Sequence, residues 1–120
     1  MKKEITILED DRDIRDICTF IFKNEGYTVN SYGSVSEFSQ APTTTQIFLL
    51  DISLPDGNGL DICQKLKMDQ RFKEVPIILM SAHMTEATAI ASACKADLFI
   101  KKPFQLEYLL ESVSGLIDKS

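Results

Sequence analysis

The sequence has no tryptophan, no long apolar run and only three cysteines. A transmembrane helix needs about 18 to 20 consecutive apolar residues, and no run of that length occurs, so we expect no membrane contact. The start, Met1-Lys2-Lys3-Glu4, also lacks the apolar core of a signal peptide, which favours a cytoplasmic protein. Cys18, Cys63 and Cys94 are odd in number and far apart, without a CxxC or Cys/His spacing, which excludes a disulfide framework or a zinc site. We predict that all three are core residues.

Positive charge is also in short supply. The 13 basic residues face 18 acidic ones, for a net charge of -5. This surplus repels phosphate backbones, so direct binding of nucleic acid by this chain is not expected. The 120 residues are 44% hydrophobic and 26% charged, as in ordinary globular proteins, and their number predicts a single domain over residues 1–120.

Two kinds of apolar pattern alternate along the chain. Short runs rich in β-branched and aromatic residues predict strands at residues 5–8, 27–29, 47–50, 75–80 and 98–100. The first, third and fourth of these are apolar throughout, which is typical of strands buried on both faces of a parallel sheet. Between the runs, helical spacing gives five apolar stripes: Ile14, Ile17, Cys18 and Ile21; Val35 and Phe38; Leu60, Ile62, Cys63 and Leu66; Ala87, Ile90, Ala91 and Cys94; and Leu106, Leu109, Leu110, Val113 and Ile117. Asp11 is placed to cap the first helix and Gly26 to end it.

This alternation predicts a doubly wound α/β domain, (βα)5, with right-handed crossovers. Ligands bind such domains at the carboxyl ends of the strands. Charged or hydroxyl side chains follow four of the strands, whereas the second ends in Ser31-Tyr32-Gly33 and offers no ionised group. Placing that strand at the edge gives the flavodoxin-like order 2-1-3-4-5.

Three carboxylates are expected to meet at this edge of the sheet. Glu9 and Asp10 follow the first strand and Asp51 follows the third. Carboxylates this close repel one another unless a cation relieves them, and their hard oxygens suit Mg²⁺. Ser81 adds a hydroxyl and Lys102 an ammonium, both able to hold phosphoryl oxygens. Together these groups predict phosphoryl transfer onto Asp51.

The ordered set of motifs resembles the receiver domain (CheY-like) of two-component response regulators. The motifs are Glu9-Asp10; Asp51 followed by Leu54-Pro55-Asp56-Gly57-Asn58-Gly59; Ser81-Ala82; Phe99; and Lys102-Pro103-Phe104. The resemblance covers the whole chain.

The resemblance implies a role for each matching position. Asp51 is then the phosphoacceptor, Glu9, Asp10 and Asp51 bind Mg²⁺ together with the backbone carbonyl of Ser53, and Lys102 senses the phosphoryl group. The Lys102–Pro103 peptide bond is expected to be cis. Ser81 and Phe99 match the switch pair that reshapes the face formed by the fourth helix, the fifth strand and the C-terminal helix.

The resemblance also implies partners for the chain and reactions of its phosphoryl group. The donor is expected to be a sensor histidine kinase or a histidine phosphotransfer protein, and the downstream partner is an unidentified protein. The chain is then a signalling phosphoacceptor, not an enzyme, that also labels itself from small donors and dephosphorylates itself. His83 and Ser53 are candidates for tuning the attack of water on the phosphoryl group, although His83 is also explained as an ordinary surface residue.

Two other functions compete with this interpretation. A phosphatase of the haloacid-dehalogenase type also uses an aspartyl nucleophile, but it typically has a second Asp two residues later, where this chain has Ser53. An FMN-binding protein needs a phosphate-binding loop after the first strand, where Glu9 and Asp10 repel phosphate.

Some positions depart from the family pattern or from the stripes. Lys95 stands where receivers usually have Gly, so either it adopts a left-handed conformation or the turn is rebuilt. Leu98 replaces a frequent Asp, and Ser112 replaces an Arg of the winged-helix branch. Phe20 and Tyr108 lie off their helical stripes and are expected to be exposed.

Overall fold

The apolar runs form five parallel strands of one sheet. The computed structural model of the protein describes residues 3–39, 44–82 and 94–119. The strands, numbered along the chain, are β1 (Glu4–Leu8), β2 (Thr28–Tyr32), β3 (Ile47–Asp51), β4 (Ile77–Ser81) and β5 (Leu98–Lys101). Their order is β2-β1-β3-β4-β5 and every pairing is parallel, which confirms the predicted doubly wound flavodoxin-like topology.

Two predicted site residues lie inside strands instead of after them. Asp51 is the last residue of β3 and pairs with Met80, while Ser81 is the last residue of β4 and pairs with Lys101. The hydrogen bonds of the sheet therefore fix the backbone positions of both residues. All residues of β3 and β4 are buried, as the uninterrupted apolar runs predicted, whereas the edge strands β2 and β5 are only partly buried.

Helices cover both faces of the sheet. They are α1 (Arg12–Asn24), α2 (Val35–Phe38), α3 (Gly59–Met68) and the C-terminal helix (Leu106–Lys119). On one face, Cys18 and Phe22 of α1 pack with Leu109 and Val113 of the C-terminal helix. On the other face, the packed residues come from α3 and α2. The predicted helix with Ala87, Ile90 and Ala91 lies outside the described residues, except for Cys94, which is buried.

Helix α1 shows one wrong prediction. Ile17 was assigned to the apolar stripe, but its exposed fraction is 46%, whereas Phe22 is fully buried. The core-facing centre of the helix is the i, i+4 pair Cys18 and Phe22, and Ile14 and Ile21 pack partly at its sides. Helical spacing shows which residues share a face of the helix. It does not show which face turns toward the sheet, because the contact with the sheet decides that rotation.

Several local predictions are confirmed. Asp11 caps α1 by accepting hydrogen bonds from the backbone N–H groups of Asp13 and Ile14, and Gly26, with φ of 89°, follows its end. All three cysteines are buried, as predicted, and the Sγ of Cys63 donates to the carbonyl of Cys94 at 3.4 Å. Within the described ranges, no helix combines the length and the hydrophobicity needed to cross a bilayer.

Candidate functional site

Three carboxylates converge at the carboxyl ends of two adjacent strands. Glu9 and Asp10 follow β1, and Asp51 ends β3, its neighbour in the sheet. One carboxylate oxygen from each residue lies within 4.8 Å of the other two. Glu9 and Asp51 are buried, whereas Asp10 is exposed. The predicted acidic cluster therefore exists, with one side open to solvent.

Backbone contacts on three sides hold Glu9 in place. Its N–H donates to the carbonyl of Tyr32 at 3.0 Å, so the sheet pairing continues past the end of β1. Arg15 Nη1 donates to the Glu9 carbonyl at 2.8 Å. The N–H of Asp11 donates to Glu9 Oε2 at 3.1 Å. The backbone and one carboxylate oxygen of Glu9 are thus fixed before any ligand arrives.

Lys102 supplies the cation in this cluster. Its Nζ lies 2.6 Å from Glu9 Oε1 and 3.0 Å from Asp51 Oδ2. Only the contact with Asp51 has hydrogen-bond alignment, so Glu9 Oε1 is buried without an aligned donor among the described residues. One ammonium therefore bridges two buried carboxylates, with hydrogen-bond alignment toward Asp51 only.

This environment shifts the pKa of several groups. Burial raises the pKa of Glu9 to about 8, and Asp51 adds to the shift while Lys102 opposes it. For Lys102, burial acts to lower the pKa, but its contacts with Glu9 and Asp51 outweigh burial and raise it. Partial burial acts to raise the pKa of Asp10, yet its interactions with Asp51 and Glu9 hold it below its ordinary value. The cluster thus carries more negative charge than one lysine balances.

The donor set fits a hard divalent cation. It offers carboxylate oxygens from three residues, one of them a buried oxygen without an aligned donor, and an open side at Asp10 for water. Mg²⁺ prefers a few carboxylate oxygens together with several waters. The residues present therefore fit the ion predicted from the sequence.

The segment after β3 determines the orientation of the Asp51 carboxylate. The N–H of Ser53 donates to Asp51 Oδ1 at 3.3 Å, and the N–H of Gly59 donates to the carbonyl of Ile52 at 2.9 Å. A Cβ at Gly59 would overlap the carbonyl oxygen of Asp51. Only glycine therefore allows the start of α3 to approach the end of β3 this closely.

The structure describes the remaining predicted residues except His83. Ser81 is buried at the end of β4, and its carbonyl accepts from the N–H of Lys102 at 2.8 Å. The Lys102–Pro103 peptide bond is cis. Phe99, in β5, is half-buried against the core on the α3 side of the sheet and lines a groove of about 390 Å³ together with Tyr108. Ser53 is exposed. His83 lies outside the described residues.

The contact of Arg15 with the site is not predictable from the sequence. Arg15 lies six residues after Glu9, and nothing in its type or spacing marks it as a partner of the Glu9 carbonyl. A Cβ at Gly33 would lie 2.6 Å from Arg15 Nη1. Gly33 thus leaves the space that the Arg15 guanidinium occupies, and only the folded chain reveals this contact.

Comparison with known proteins supports one family. The sequence model described as the response regulator receiver domain matches residues 5–114. The response regulator SaeR of Staphylococcus aureus is 33% identical over 117 residues, which cover 96% of this chain and 50% of that protein. The transcriptional regulatory protein GltR of Pseudomonas aeruginosa is 29% identical over 121 residues, which cover 98% of this chain and 50% of that protein. The chain thus spans about half the length of these curated relatives.

A solved structure agrees with the sequence matches. The response regulator receiver domain protein (CheY-like) from Methanospirillum hungatei superposes with a TM-score of 0.87 at 25% identity, covering 99% of this chain and 96% of that one. The structural similarity therefore extends over the whole fold.

Proposed function

The chain belongs to the response regulator receiver domain family of two-component systems, and from this premise we propose that Asp51 accepts a phosphoryl group with the help of Mg²⁺. Members of this family are signalling phosphoacceptors and not classical enzymes. The observation that carries the proposal is the cluster of Glu9, Asp10 and Asp51 within 4.8 Å, bridged by the ammonium of Lys102.

Mg²⁺ is the ion that the family binds in its acidic pocket. In this chain the carboxylates of Glu9, Asp10 and Asp51 and the backbone carbonyl of Ser53 would hold it. When bound, the ion neutralises charge on the phosphoryl oxygens and on the carboxylates. Without a counter-charge, these carboxylates would repel the phosphate of any donor.

The transfer exchanges one bond to phosphorus for another. An oxygen of the Asp51 carboxylate attacks the phosphorus of a phosphohistidine, an O–P bond forms, and the N–P bond breaks as the imidazole leaves. Lys102 and Ser81 hold the phosphoryl oxygens. They act as positioned hydrogen-bond donors at the place where negative charge develops in the transition state. The Ser53 N–H, which donates to Asp51 Oδ1, keeps that carboxylate in one orientation.

The phosphoryl group then acts as a switch. It adds about -1.5 to -2 charges to Asp51 and draws the Ser81 hydroxyl and Lys102 toward it. Phe99 moves into the space that Ser81 vacates, which changes the face beside β5 and the C-terminal helix. Shifting a two-state element from 1:99 to 99:1 takes about 5.5 kcal/mol, so phosphorylation alone is expected to activate partially and partner binding to complete the change.

The proposal extends to partners, domain extent and location. Response regulators interact with histidine kinases or phosphotransfer proteins, and we assign the same class of donor to this chain, with a protein as its downstream target. Residues 1–120 would form one receiver domain in the cytoplasm, where a kinase has access to ATP. His83 and Ser53 are assigned to tuning the attack of water during self-dephosphorylation.

A small phosphoryl donor tests the transfer. We expect acetyl phosphate with Mg²⁺ to add the mass of one phosphoryl group to the intact protein, and chelation of Mg²⁺ by EDTA to prevent the addition. Equal labelling with and without EDTA would contradict the role of the metal. Failure to label under any condition would contradict the proposed function.

The switch needs a separate test. Lys102→Ala should still allow some phosphorylation but should uncouple it from changes at Phe99. The measurement is the NMR chemical shift of groups around Phe99 with and without beryllofluoride, a phosphoryl mimic. A normal response around Phe99 in the Lys102→Ala variant would show that Lys102 does not couple phosphorylation to the changes at Phe99.

A further inference from the structure

Asp56 joins the loop after β3 to the start of α2. Its Oδ1 accepts from the N–H of Val35 at 2.8 Å, and its Oδ2 accepts from the N–H of Ser36 at 3.0 Å. The partners are 21 and 20 residues away along the chain. Both carboxylate oxygens of an exposed aspartate are thus bound to backbone donors of a distant helix.

The same helix already has a cap of its own. Ser34 is the N-cap of α2, and its Oγ accepts from the N–H of Glu37 at 3.2 Å. Ser34 satisfies only the N–H of Glu37, and Asp56 accepts from the N–H groups of Val35 and Ser36, which have no partner within the helix. The bidentate contact therefore caps α2 and at the same time attaches the loop that carries Asp56 to it.

Hydrogen bonds connect that loop to Asp51. Ser53–Leu54 and Gly57–Asn58 form a short antiparallel ladder with Pro55 and Asp56 at its turn. A Cβ at Gly57 would lie 2.6 Å from Val35 Cγ2, so the ladder lies directly against α2. At its other end, the Ser53 N–H donates to Asp51 Oδ1. A continuous path runs from α2 through Asp56 and the ladder to the carboxylate of Asp51.

We propose that Asp56 is a positioning residue that clamps the ladder to α2 and thereby holds Ser53, and through it the Asp51 carboxylate, in the geometry needed for metal binding and phosphoryl transfer. The inference rests on the proposed function of Asp51. Without the clamp, the ladder keeps its two residue pairs, the bond from the Gly59 N–H, the Asn58 cap of α3 and the packing of Leu54 on the core, but it loses its attachment to α2, and the Ser53 N–H is held less closely.

The test compares three variants with the wild type. Asp56→Ala removes both acceptors, Asp56→Asn retains one carboxamide oxygen, and Ser34→Ala weakens α2 without touching the ladder. Mg²⁺ affinity is measured from amide chemical shifts during a Mg²⁺ titration, and labelling rate is measured with acetyl phosphate. We expect Asp56→Ala to weaken Mg²⁺ binding about tenfold, the lower end of the loss caused by removing outer partners of a metal site, and to slow labelling by a similar factor.

The other variants separate positioning from simple helix capping. We expect Asp56→Asn to recover part of both losses and Ser34→Ala to change neither. If Ser34→Ala reproduced the losses, or if Asp56→Ala bound Mg²⁺ and took up label like the wild type, the inference would be overturned while the proposed function stood.

A readout in the metal-free protein keeps the two ideas distinguishable. The Ser53 amide shift and its hydrogen-exchange rate report the contact with Asp51 directly. We expect Asp56→Ala to shift this amide and speed its exchange, and Ser34→Ala to leave it unchanged. A wild-type protein that takes up no label contradicts the proposed function, but an unchanged Ser53 amide in Asp56→Ala contradicts the clamp in either case.

Discussion

At the scale of single residues, the backbone of Gly59 lies directly against the backbone of Asp51. A Cβ at position 59 would overlap the Asp51 carbonyl oxygen. Neither backbone segment can move away without disturbing helix α3 or the short ladder of Ser53–Leu54 and Gly57–Asn58. The position of the candidate phosphoacceptor thus depends on the absence of one methyl group.

Replacing Gly59 tests this dependence. We expect Gly59→Ala to lower the free energy of unfolding by about 2 kcal/mol, as overpacking of a tight site typically does, in a urea titration. Gly115→Ala is the matched control, because Gly115 lies in the C-terminal helix with no atom within 4 Å of an added Cβ. There alanine should raise stability by about 0.5–1 kcal/mol. Equal effects at both positions would contradict the close approach of Gly59 to Asp51.

Lys102 also acts as an internal counter-ion for the acidic cluster. It lies within 3.0 Å of oxygens from both Glu9 and Asp51, where a divalent cation would take over part of its role. Removing one partner of a buried ion pair typically costs about 3–5 kcal/mol. Burial and Asp51 raise the pKa of Glu9 while Lys102 lowers it, so Glu9 binds a proton more readily without Lys102, and the cost here should fall below that range.

The prediction for Lys102 concerns stability with and without metal. We expect Lys102→Ala to melt at a lower temperature than the wild type without Mg²⁺, and Mg²⁺ to raise its melting temperature by more than that of the wild type. The neighbouring Lys101 is exposed, so Lys101→Ala should melt within the scatter of ordinary surface substitutions. A Mg²⁺ response equal in Lys102→Ala and the wild type would show that the lysine does not compensate the cluster.

At the scale of elements, the turn before β5 places a lysine in a backbone conformation that lysine rarely adopts. Lys95 has φ of 61°, the left-handed region that costs a residue with a Cβ about 1–2 kcal/mol. Of the two alternatives derived from the sequence, a left-handed lysine or a rebuilt turn, the first is confirmed. The chain therefore carries this strain at Lys95.

Relieving this strain should stabilise the protein. Glycine removes the steric cost but adds about 0.5–1 kcal/mol of unfolded-state entropy, so we expect Lys95→Gly to raise the free energy of unfolding by about 0.5–1 kcal/mol. Gly26→Ala is the converse control, because Gly26 has φ of 89° with open space around it, and it should lose about 1 kcal/mol. Urea midpoints measure both changes, and a loss of stability in Lys95→Gly would contradict the assigned conformation.

At the scale of the whole molecule, the order of the strands and the composition of the cluster were predictable. Fully apolar runs identified the buried strands, and the polar residues after them identified the functional edge, because parallel strands bring their carboxyl ends together. The rotation of α1 about its own axis was not predictable. Ile17 is exposed, and Phe22 is buried against the sheet instead. Contacts of Asp56 with Val35 and of Arg15 with Glu9 join residues whose proximity only the folded chain creates.

The negative charge of the molecule is unevenly distributed. The net charge of -5 argues against contact with a phosphate backbone, yet three of the carboxylates are concentrated at one strand edge. A divalent cation bound there reverses the local preference and admits a single phosphoryl group. The overall charge and the proposed phosphoryl chemistry are therefore compatible.

Intact-mass spectrometry after incubation with acetyl phosphate and Mg²⁺ tests the central assignment, Asp51 as the phosphoacceptor. Asp51→Asn keeps the size of the side chain but removes the nucleophilic carboxylate, and Asp61→Asn makes the same change in the first turn of α3. The account predicts one added phosphoryl group on the wild type and on Asp61→Asn, and none on Asp51→Asn. Equal labelling of Asp51→Asn and the wild type would contradict it.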